Sequence, residues 1–295
     1  RLGGTTYTFA NVAALINNQP SSIQILGDVS APNPLHNGIA RNRYLKQSYS
    51  ILYAQDEWRI RPNITLNYGL RYEYYSVLHE DHDLYTLFLV GEGLKTGPWY
   101  HSSPRNFGPR LGLSWAPTMF SNKTVFRIGA GYYYGPGQTE DQVQPIDSDR
   151  VTATLTNAIF PVNSRQIIAD VDVNNLSGFT PRAYAPGYTL PERVLSYTAS
   201  VQQEFGGGTV LTAAYVGSQG RNLFLRSWTN GIVGVTQNPA TGVGSAVLEM
   251  GSRFGQIDYK TSGGTDHYDS MQVSVQRRYS KGLTLGGQWS WSHSL

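Results

Sequence analysis

The sequence contains no cysteine, and this absence excludes several kinds of site at once. Without thiols the chain forms no disulfide framework, no cysteine-ligated zinc site and no thiol-based active site. Charged residues are also scarce, at 15% of the chain against about 25% in ordinary soluble domains. The net charge of +3 is small and the basic residues are scattered. We therefore expect no nucleic-acid partner.

Long apolar runs are absent as well. No stretch approaches the roughly 18 residues that a transmembrane helix needs, and residues 1–4 (RLGG) begin no signal peptide. The mean hydropathy is negative. A β-barrel that spans lipid has this signature, because half of each strand faces a polar lumen.

Tyrosine and glycine are abundant instead. The 295 residues include 20 Tyr, 10 Phe, 6 Trp and 32 Gly. Tyr and Trp suit surfaces that are apolar at one end and wet at the other, as at a membrane interface. Many glycines fit tight turns and little helix.

Alternating polarity is the main structural signal. In residues 66–74 (LNYGLRYEY), Leu66, Leu70 and three tyrosines occupy one face of a strand, and Asn67, Gly69, Arg71 and Glu73 occupy the other. The same alternation returns in segments 110–115, 126–132, 195–202, 271–276 and 283–291. The polar positions are mostly Gly, Ser, Gln and Asn rather than the Lys and Glu that cover a soluble sandwich, so the pattern favours a membrane barrel over a sandwich.

The pattern predicts eight strands in four hairpins: 48–60 with 63–76, 106–117 with 123–134, 192–205 with 209–217, and 268–279 with 283–292. The turns within hairpins are short, and the connections between hairpins are long, at roughly 30, 55 and 50 residues. This arrangement places every short turn at one end of the sheet. It is typical of outer-membrane barrels, with short periplasmic turns and long extracellular loops. The predicted fold is an all-β, antiparallel transmembrane β-barrel, present in part.

Residues 1–47 form a different segment. Asn11 to Gln19 predict a short helix that is capped by Asn11 and stopped by Pro20, and residues 27–41 predict a loop. We therefore divide the chain into residues 1–47, a leading loop and helix, and residues 48–295, an incomplete barrel segment.

Several strings resemble one known family. The string at residues 53–75, YAQDEWRIRPNITLNYGLRYEYY, resembles a barrel hairpin of Oar-like TonB-dependent receptors. Segments of the same kind begin at residues 6, 106, 123, 190 and 268, with sequences TYTFANVAALINNQPSSI, NFGPRLGLSWAP, KTVFRIGAGYYYG, LPERVLSYTASVQQEF and YDSMQVSVQRRYSKGLTLGGQWSWSHSL. The resemblance touches nearly the whole chain.

The resemblance implies a bacterial outer-membrane receptor or transporter. Such a protein binds a solute through extracellular loops and passes it with energy relayed by TonB, so the implied partners are outer-membrane lipid, the TonB complex and an unknown solute. The chain shows no plug, no TonB-contacting segment and far fewer than the roughly 22 strands of plugged transporters. We therefore interpret it as a fragment. The alternative is a secreted or surface β-structural or adhesive protein that assembles by strand pairing without transport.

Candidate site residues fall into two sets. On the polar face, Arg71, Glu73, Arg110 and Arg127 are candidates for facing a ligand in the lumen, although pairing with nearby carboxylates is the favoured interpretation for the arginines. On the apolar face, six aromatic residues are predicted at the membrane interfaces: Tyr72, Tyr74, Tyr132, Tyr134, Trp289 and Trp291.

Metal and catalytic motifs are weak. His79, Asp81 and His82 have a ligand-like spacing, yet a solvated polar loop is the favoured interpretation. Residues 170–174 imitate the start of a calcium loop but lack its glycine and its final glutamate. No nucleophile elbow, zinc motif or phosphate-binding loop is present. We expect no enzyme, no cofactor and no metal site.

Overall fold

The computed structural model describes residues 5–28, 44–81, 87–89, 93–95, 97–136, 144–147, 150–156, 161–163, 182–252, 254–280 and 282–295. Within these ranges the chain is almost entirely β-structure, and its strands are numbered in chain order: β1 (Thr5–Thr8), β2 (Ser22–Asp28), β3 (Leu45–Lys46), β4 (Tyr49–Arg61), β5 (Ile64–Tyr75), β6 (His79–Glu80), β7 (Leu87–Leu89), β8 (Gly93–Lys95), β9 (His101–Ser102), β10 (Phe107–Trp115), β11 (Thr124–Gly135), β12 (Arg150–Thr156), β13 (Arg182–Tyr184), β14 (Thr189–Leu190), β15 (Glu192–Phe205), β16 (Thr209–Thr229), β17 (Ile232–Gln237), β18 (Gly244–Leu248), β19 (Ile257–Ser280) and β20 (Leu283–Ser294).

Helical structure is limited to short pieces. The helix α1 covers Val12–Ile16, and short 3₁₀ turns cover Thr118–Phe120, Gln144–Asp147 and Gly206–Gly208. Among the described residues, no helix has the length and apolar character to cross a membrane.

Eight long strands form one wall. They pair antiparallel in sequence order, β4-β5-β10-β11-β15-β16-β19-β20, and β13 adds a short parallel pairing to β19. The eight predicted strands and four hairpins are thereby confirmed. Because each strand pairs with its neighbour in sequence, the short turns at 62–63, at 116–123, at 206–208 and around Gly282 all lie at one end of the wall, called here the turn end. The opposite end is the loop end.

The register carries the two predicted faces across the whole wall. Side chains directly opposite each other on paired strands share a face. One such row runs over all eight strands and is apolar: Trp58, Leu66, Leu113, Ile128, Ala199, Tyr215, Met271 and Trp291. A row on the opposite face is polar or small apart from one tyrosine: Gln55, Gly69, Arg110, Gly131, Ser196, Ser218, Tyr268 and Ser294. These are called the apolar face and the polar face below.

The connection between β16 and β19, the third of the long connections between hairpins, is shorter than predicted. Strands β16 and β19 were expected to end near residue 217 and to begin near residue 268, yet their pairing continues to Thr229 and Ile257. Two register shifts between Arg221 and Leu225 interrupt the ladder. A bulge breaks the period-2 alternation, so the sequence pattern disappears although the ribbon goes on. The ribbon therefore extends past the loop end of the wall.

The leading segment contains more strand than predicted. Helix α1 forms as expected, with the Asn11 side chain accepting from the Ala14 amide at 2.8 Å, but it is shorter than the predicted 11–19. Strands β1 and β2 were not predicted, and β2 also pairs with β12, which places Ile23 and Ile25 in fully buried positions. Residues 27 and 28 of the predicted loop belong to β2, and the remainder of that loop lies outside the described residues.

The two faces can be distinguished by single-cysteine labelling, because the chain has no other thiol. Thr198 and Ala199 are adjacent on β15, are both exposed and point to opposite faces. In membrane vesicles we expect Thr198→Cys to react several-fold faster than Ala199→Cys with a charged maleimide, because lipid shields the apolar face. Labelling in urea is the control and should be equal for both. Faster labelling of Ala199→Cys in the membrane would reverse the assignment of the faces.

Candidate functional site: the polar trough and the loop end

The polar face is concave and lines an open cavity of about 990 Å³, called here the trough. Its polar-face lining comes from β4, β5, β10, β11, β15 and β16: Tyr53, Gln55, Glu57, Asn67, Gly69, Arg71, Arg110, Gly112, Gly129, Gly131, Tyr133, Ser196, Thr198 and Val216. Most of these side chains are small or uncharged, so the face leaves open space instead of filling it.

Arg110 is held against the floor of the trough by its neighbours. Its stem passes over Gly131, where an added Cβ would lie 3.1 Å from the arginine Cγ. Its guanidinium carbon sits 4.6 Å from the centre of the Tyr133 ring, a cation–π geometry. The Arg110 Nε atom is buried and has no hydrogen-bond partner among the described residues. Arg110 thus presents a positioned cation to the trough.

Arg71 is already paired. Its Nε donates to Glu73 Oε1 at 2.7 Å, and the Tyr75 hydroxyl donates to the other oxygen of the same carboxylate. Glu73 is only 4% exposed, so its charge requires these partners. The favoured interpretation of Arg71, pairing with Glu73, agrees with this geometry.

Arg127 faces the same side as Arg110 but does not line the trough. It lies nearer the turn end, and its Nη1 donates to Gln202 Oε1 at 2.7 Å. Of the four candidates, the structure therefore brings Arg71 and Arg110 to the cavity, places Glu73 behind Arg71 and leaves Arg127 apart.

The predicted interface aromatics all lie on the apolar face. Tyr72 and Tyr74 end β5, and Tyr132 and Tyr134 end β11, so all four lie at the loop end. Trp289 and Trp291 on β20 are 57% and 66% exposed. Their position at a membrane interface stays a prediction. The exposed Trp58 and Trp115, on the same face near the turn end, were not among the sequence candidates.

The histidine and carboxylate segment begins as a short strand and not as a loop, although His79 and Asp81 are exposed as predicted for a solvated segment. His79 and Glu80 form β6 against β3, and the fully buried Glu80 accepts from the Tyr44 amide at 3.0 Å. The carboxylate of Asp81 contacts Lys46 Nζ at 2.6 Å. His82 and the calcium-like residues 170–174 lie outside the described residues. Within the described ranges, no three His, Cys, Asp or Glu side chains gather in an arrangement that could hold a metal.

A second, apolar core lies beyond the wall at the loop end. It consists of six buried side chains and is called the loop-end core: Leu78, Trp99, Tyr100, Tyr184, Tyr188 and Leu190. Tyr184 packs against Tyr188 and Tyr100 with ring centres 4.8 and 5.5 Å apart. Burial raises the pKa of Tyr100 to about 12 and the pKa of Tyr184 well above 10. These phenols therefore stay neutral at physiological pH.

Asp258 joins the loop-end core to the β16–β19 ribbon. Its carboxylate, 5% exposed, lies 2.8 Å from Lys260 Nζ, 2.9 Å from Arg226 Nη2 and 3.7 Å from Arg182 Nε. Lys260 is itself fully buried and also donates to Gln144 at 2.9 Å. The strands β13, β16 and β19 and the segment at 144–147 thus meet at one ionic cluster. Sequence reasoning missed it, although the Asp258 and Lys260 spacing puts both side chains on one face of a strand.

The uninterrupted antiparallel wall, with one apolar face and one polar concave face, defines a transmembrane β-barrel wall. The match to known families agrees. The chain belongs to the outer membrane beta barrel domain family, whose model matches residues 4–295. The protein is located in the bacterial outer membrane.

Solved structures of outer-membrane proteins are similar to the chain at low identity. The outer membrane transporter YddB of Escherichia coli is 16% identical with a TM-score of 0.48, and the match covers 84% of this chain and 24% of that one. The siderophore receptor PirA of Pseudomonas aeruginosa is 11% identical with a TM-score of 0.44, covering 92% and 42%. The toluene transporter TodX of Pseudomonas putida is 13% identical with a TM-score of 0.32, covering 92% and 64%. The chain spans less than half the length of the first two. No curated protein matches the sequence.

Two glycines of β10 provide a matched test of how closely the backbone of the neighbouring strand approaches β10. A Cβ on Gly108 would lie 2.7 Å from the Tyr132 carbonyl oxygen, whereas a Cβ on Gly112 would meet Asn67 Cβ at an ordinary 3.7 Å. We expect Gly108→Ala to lower the free energy of unfolding by about 1–3 kcal/mol and Gly112→Ala to change it by less than about 0.5 kcal/mol. Urea unfolding followed by tryptophan fluorescence measures both. Equal effects would show that the close approach at Gly108 does not constrain the wall.

The ionic cluster provides a second test. Replacing Asp258 by Asn leaves buried cations around a neutral group, so we expect a local loss of about 3 kcal/mol at the loop end. The control is Asp81→Asn, because the Asp81 to Lys46 pair is exposed and such pairs contribute about 0–1 kcal/mol. Hydrogen exchange should accelerate in β13 and in the outer parts of β16 and β19 for Asp258→Asn only. Unchanged exchange there would show that Asp258 does not hold these strands together.

Proposed function

We propose that this chain supplies wall strands and loops of an Oar-like TonB-dependent receptor, which binds a solute at its loop end and passes it through the lumen. The outer-membrane family supports the location of this function. The string at 53–75 and the five further segments support the particular kind of receptor by resemblance. The energy would be relayed by TonB, as in such receptors.

The trough is the observation that carries the proposal. A closed barrel of about eight strands has an interior just wide enough for its own side chains to fill. Here seven of the fourteen polar-face residues that line the trough are Gly, Ser, Thr or Gln, and about 990 Å³ stays open between β4 and β16. A wall that leaves this much space on its inner face suits a wide lumen that can hold a solute.

Arg110 gives the trough a chemical preference. Its guanidinium has no carboxylate partner among the described residues, whereas Arg71 is neutralised by Glu73. A guanidinium without a carboxylate partner favours a carboxylate or phosphate group on any solute that enters the lumen.

The secreted, adhesive alternative fits less well. An adhesive assembly would bury its apolar faces between subunits, whereas the outer-membrane location offers lipid to the exposed Leu, Ile, Tyr and Trp of the apolar face. Strand pairing between chains is therefore not needed to cover that face.

TonB binding tests the proposal without knowledge of the solute. The whole protein, extracted from outer membranes in detergent, is passed over the immobilised periplasmic domain of TonB from the same organism. We expect retention above that of a porin from the same membranes, because a porin takes no energy from TonB. Retention no greater than that of the porin would contradict a TonB-dependent role.

A further inference from the structure

The apolar face ends at a definite level on β15. Its outward side chains from Leu195 to Val201 are apolar or aromatic, and the outward positions that bound them are Arg193 and Gln203. Arg193 and Gln203 are ten residues apart, which in a strand is about 33 Å, and a strand tilted by about 40° then covers roughly 25 Å of membrane thickness. This length matches the apolar band of an outer-membrane barrel. Arg193 therefore marks the upper edge of the lipid-facing band.

The same edge appears on the three strands that follow. On β16 the outward positions change at Gln219 and Arg221, on β19 at Asp269 and His267, and on β20 at His293. His267 Nε2 contacts Asp269 Oδ2 at 2.7 Å, and two tyrosine hydroxyls donate to the other oxygen of that carboxylate. Asp269 is thus already partnered within the protein. The arginines at this edge are Arg193 on β15 and Arg221 on β16.

Arg193 and Arg221 are directly opposite each other in the β15–β16 register, on the apolar face. Both side chains are exposed. Arg193 forms no ion pair or hydrogen bond with any residue that the structure describes. Arg221 donates from Nη1 to the Gly220 carbonyl oxygen at 2.8 Å and approaches the Asp266 carbonyl oxygen at 3.5 Å, which leaves its charge without a carboxylate partner in the described chain.

Like charges directly opposite each other on a sheet destabilise it. Paired strands bring such residues to a Cα separation of about 4.5–5.5 Å, and Arg, unlike His, stays charged at all physiological pH values. An anion that both guanidinium groups bound would offset this repulsion and would accept hydrogen bonds from both. The site lies where the hydrocarbon region ends and the headgroups of the extracellular leaflet begin.

We propose that Arg193 and Arg221 form a binding site for a phosphate group on a glycolipid of the outer leaflet. A guanidinium pair matches the geometry of phosphate oxygens, which accept two parallel hydrogen bonds from each Arg. The acyl chains of the lipid then lie along Leu195 and its apolar neighbours below. The site is on the outside of the wall, so it is independent of any solute in the trough.

The test uses the whole protein purified in detergent, native mass spectrometry and three probes: bisphosphorylated lipid A, lipid A without phosphates, and inorganic phosphate. We expect bisphosphorylated lipid A to bind at least about tenfold more tightly to the native protein than to R193Q/R221Q. Dephosphorylated lipid A should bind both proteins equally weakly. Millimolar inorganic phosphate should neither bind detectably nor displace the lipid, since it lacks the acyl chains.

Matched variants separate this site from general electrostatics and from misfolding. R59Q/R105Q removes the same charge from the polar face and from an exposed loop position, and it should bind lipid A like the native protein. R193K/R221K keeps the charge but loses the planar fork, and it should fall between the native protein and R193Q/R221Q. Retained heat-modifiable migration on gels shows that each variant is folded.

Two results would overturn the proposal. Equal lipid A binding by native protein and folded R193Q/R221Q would show that the arginine pair does not hold the phosphate. Binding of inorganic phosphate as tight as that of lipid A would identify a site for a free anion and not for a lipid.

Discussion

Backbone hydrogen bonding between neighbouring strands is the constraint on which the rest of this structure depends. Hydrocarbon offers no partner to a peptide N–H or C=O, so a chain that crosses lipid by strands must satisfy these groups within its own sheet. The sequential antiparallel ladder from β4 to β20 does so for each of its inner strands. Once that ladder is in register, successive side chains of each strand necessarily point to opposite faces of the wall. The apolar face, the polar face and the trough all follow from the register.

Glycine and aromatic residues adapt the ladder to these two environments. At Gly131 the missing side chain gives room to Arg110, and at Gly217 the Tyr197 ring lies where a Cβ would be, 2.3 Å from its nearest ring carbon. An aromatic ring over a strand glycine covers the exposed backbone on the lipid side. Glycine thus leaves space for a side chain on the polar face, whereas on the apolar face a neighbouring aromatic ring covers it.

The loop end has its own means of stabilisation. The β16–β19 ribbon leaves the wall and meets β13 at the Asp258 cluster, next to the aromatic loop-end core. The wall and the described part of the loop end are therefore linked by one continuous ribbon. Under the proposed function, a solute that contacts the loop-end core meets a surface with a packed interior, which limits the ordering cost of binding.

Much of the wall was predictable because period-2 alternation is local. Segment 66–74 alone separates Leu70 from Arg71 and so assigns both faces of β5, and short turn segments locate the hairpins. The extensions of β16 and β19 were not predictable, because bulges near Leu223 erase the alternation. Strands β1 and β2 are short, and β2 takes its partner β12 from more than 120 positions further along the chain.

In the candidate site, too, the features that depend on local sequence were predictable and the contacts between distant residues were not. The polar positions of Arg71 and Arg110 follow from alternation, but their different states do not. Glu73 lies two residues from Arg71 on the same face, whereas Arg110 depends on Tyr133 from a neighbouring strand. The Asp258 cluster combines side chains from positions 182, 226, 258 and 260, and no local pattern brings these together.

Contact between the apolar face and lipid is the central claim, and tryptophan quenching measures it most directly. One protein retains only Trp291, on the apolar face and 66% exposed, and a second retains only Trp99, in the loop-end core and 2% exposed. Both are placed in bilayers of lipids brominated on the acyl chains. The account predicts strong quenching of Trp291 and little quenching of Trp99. Quenching of Trp291 by aqueous iodide and not by brominated lipid would contradict it, because the apolar face would then be in contact with water.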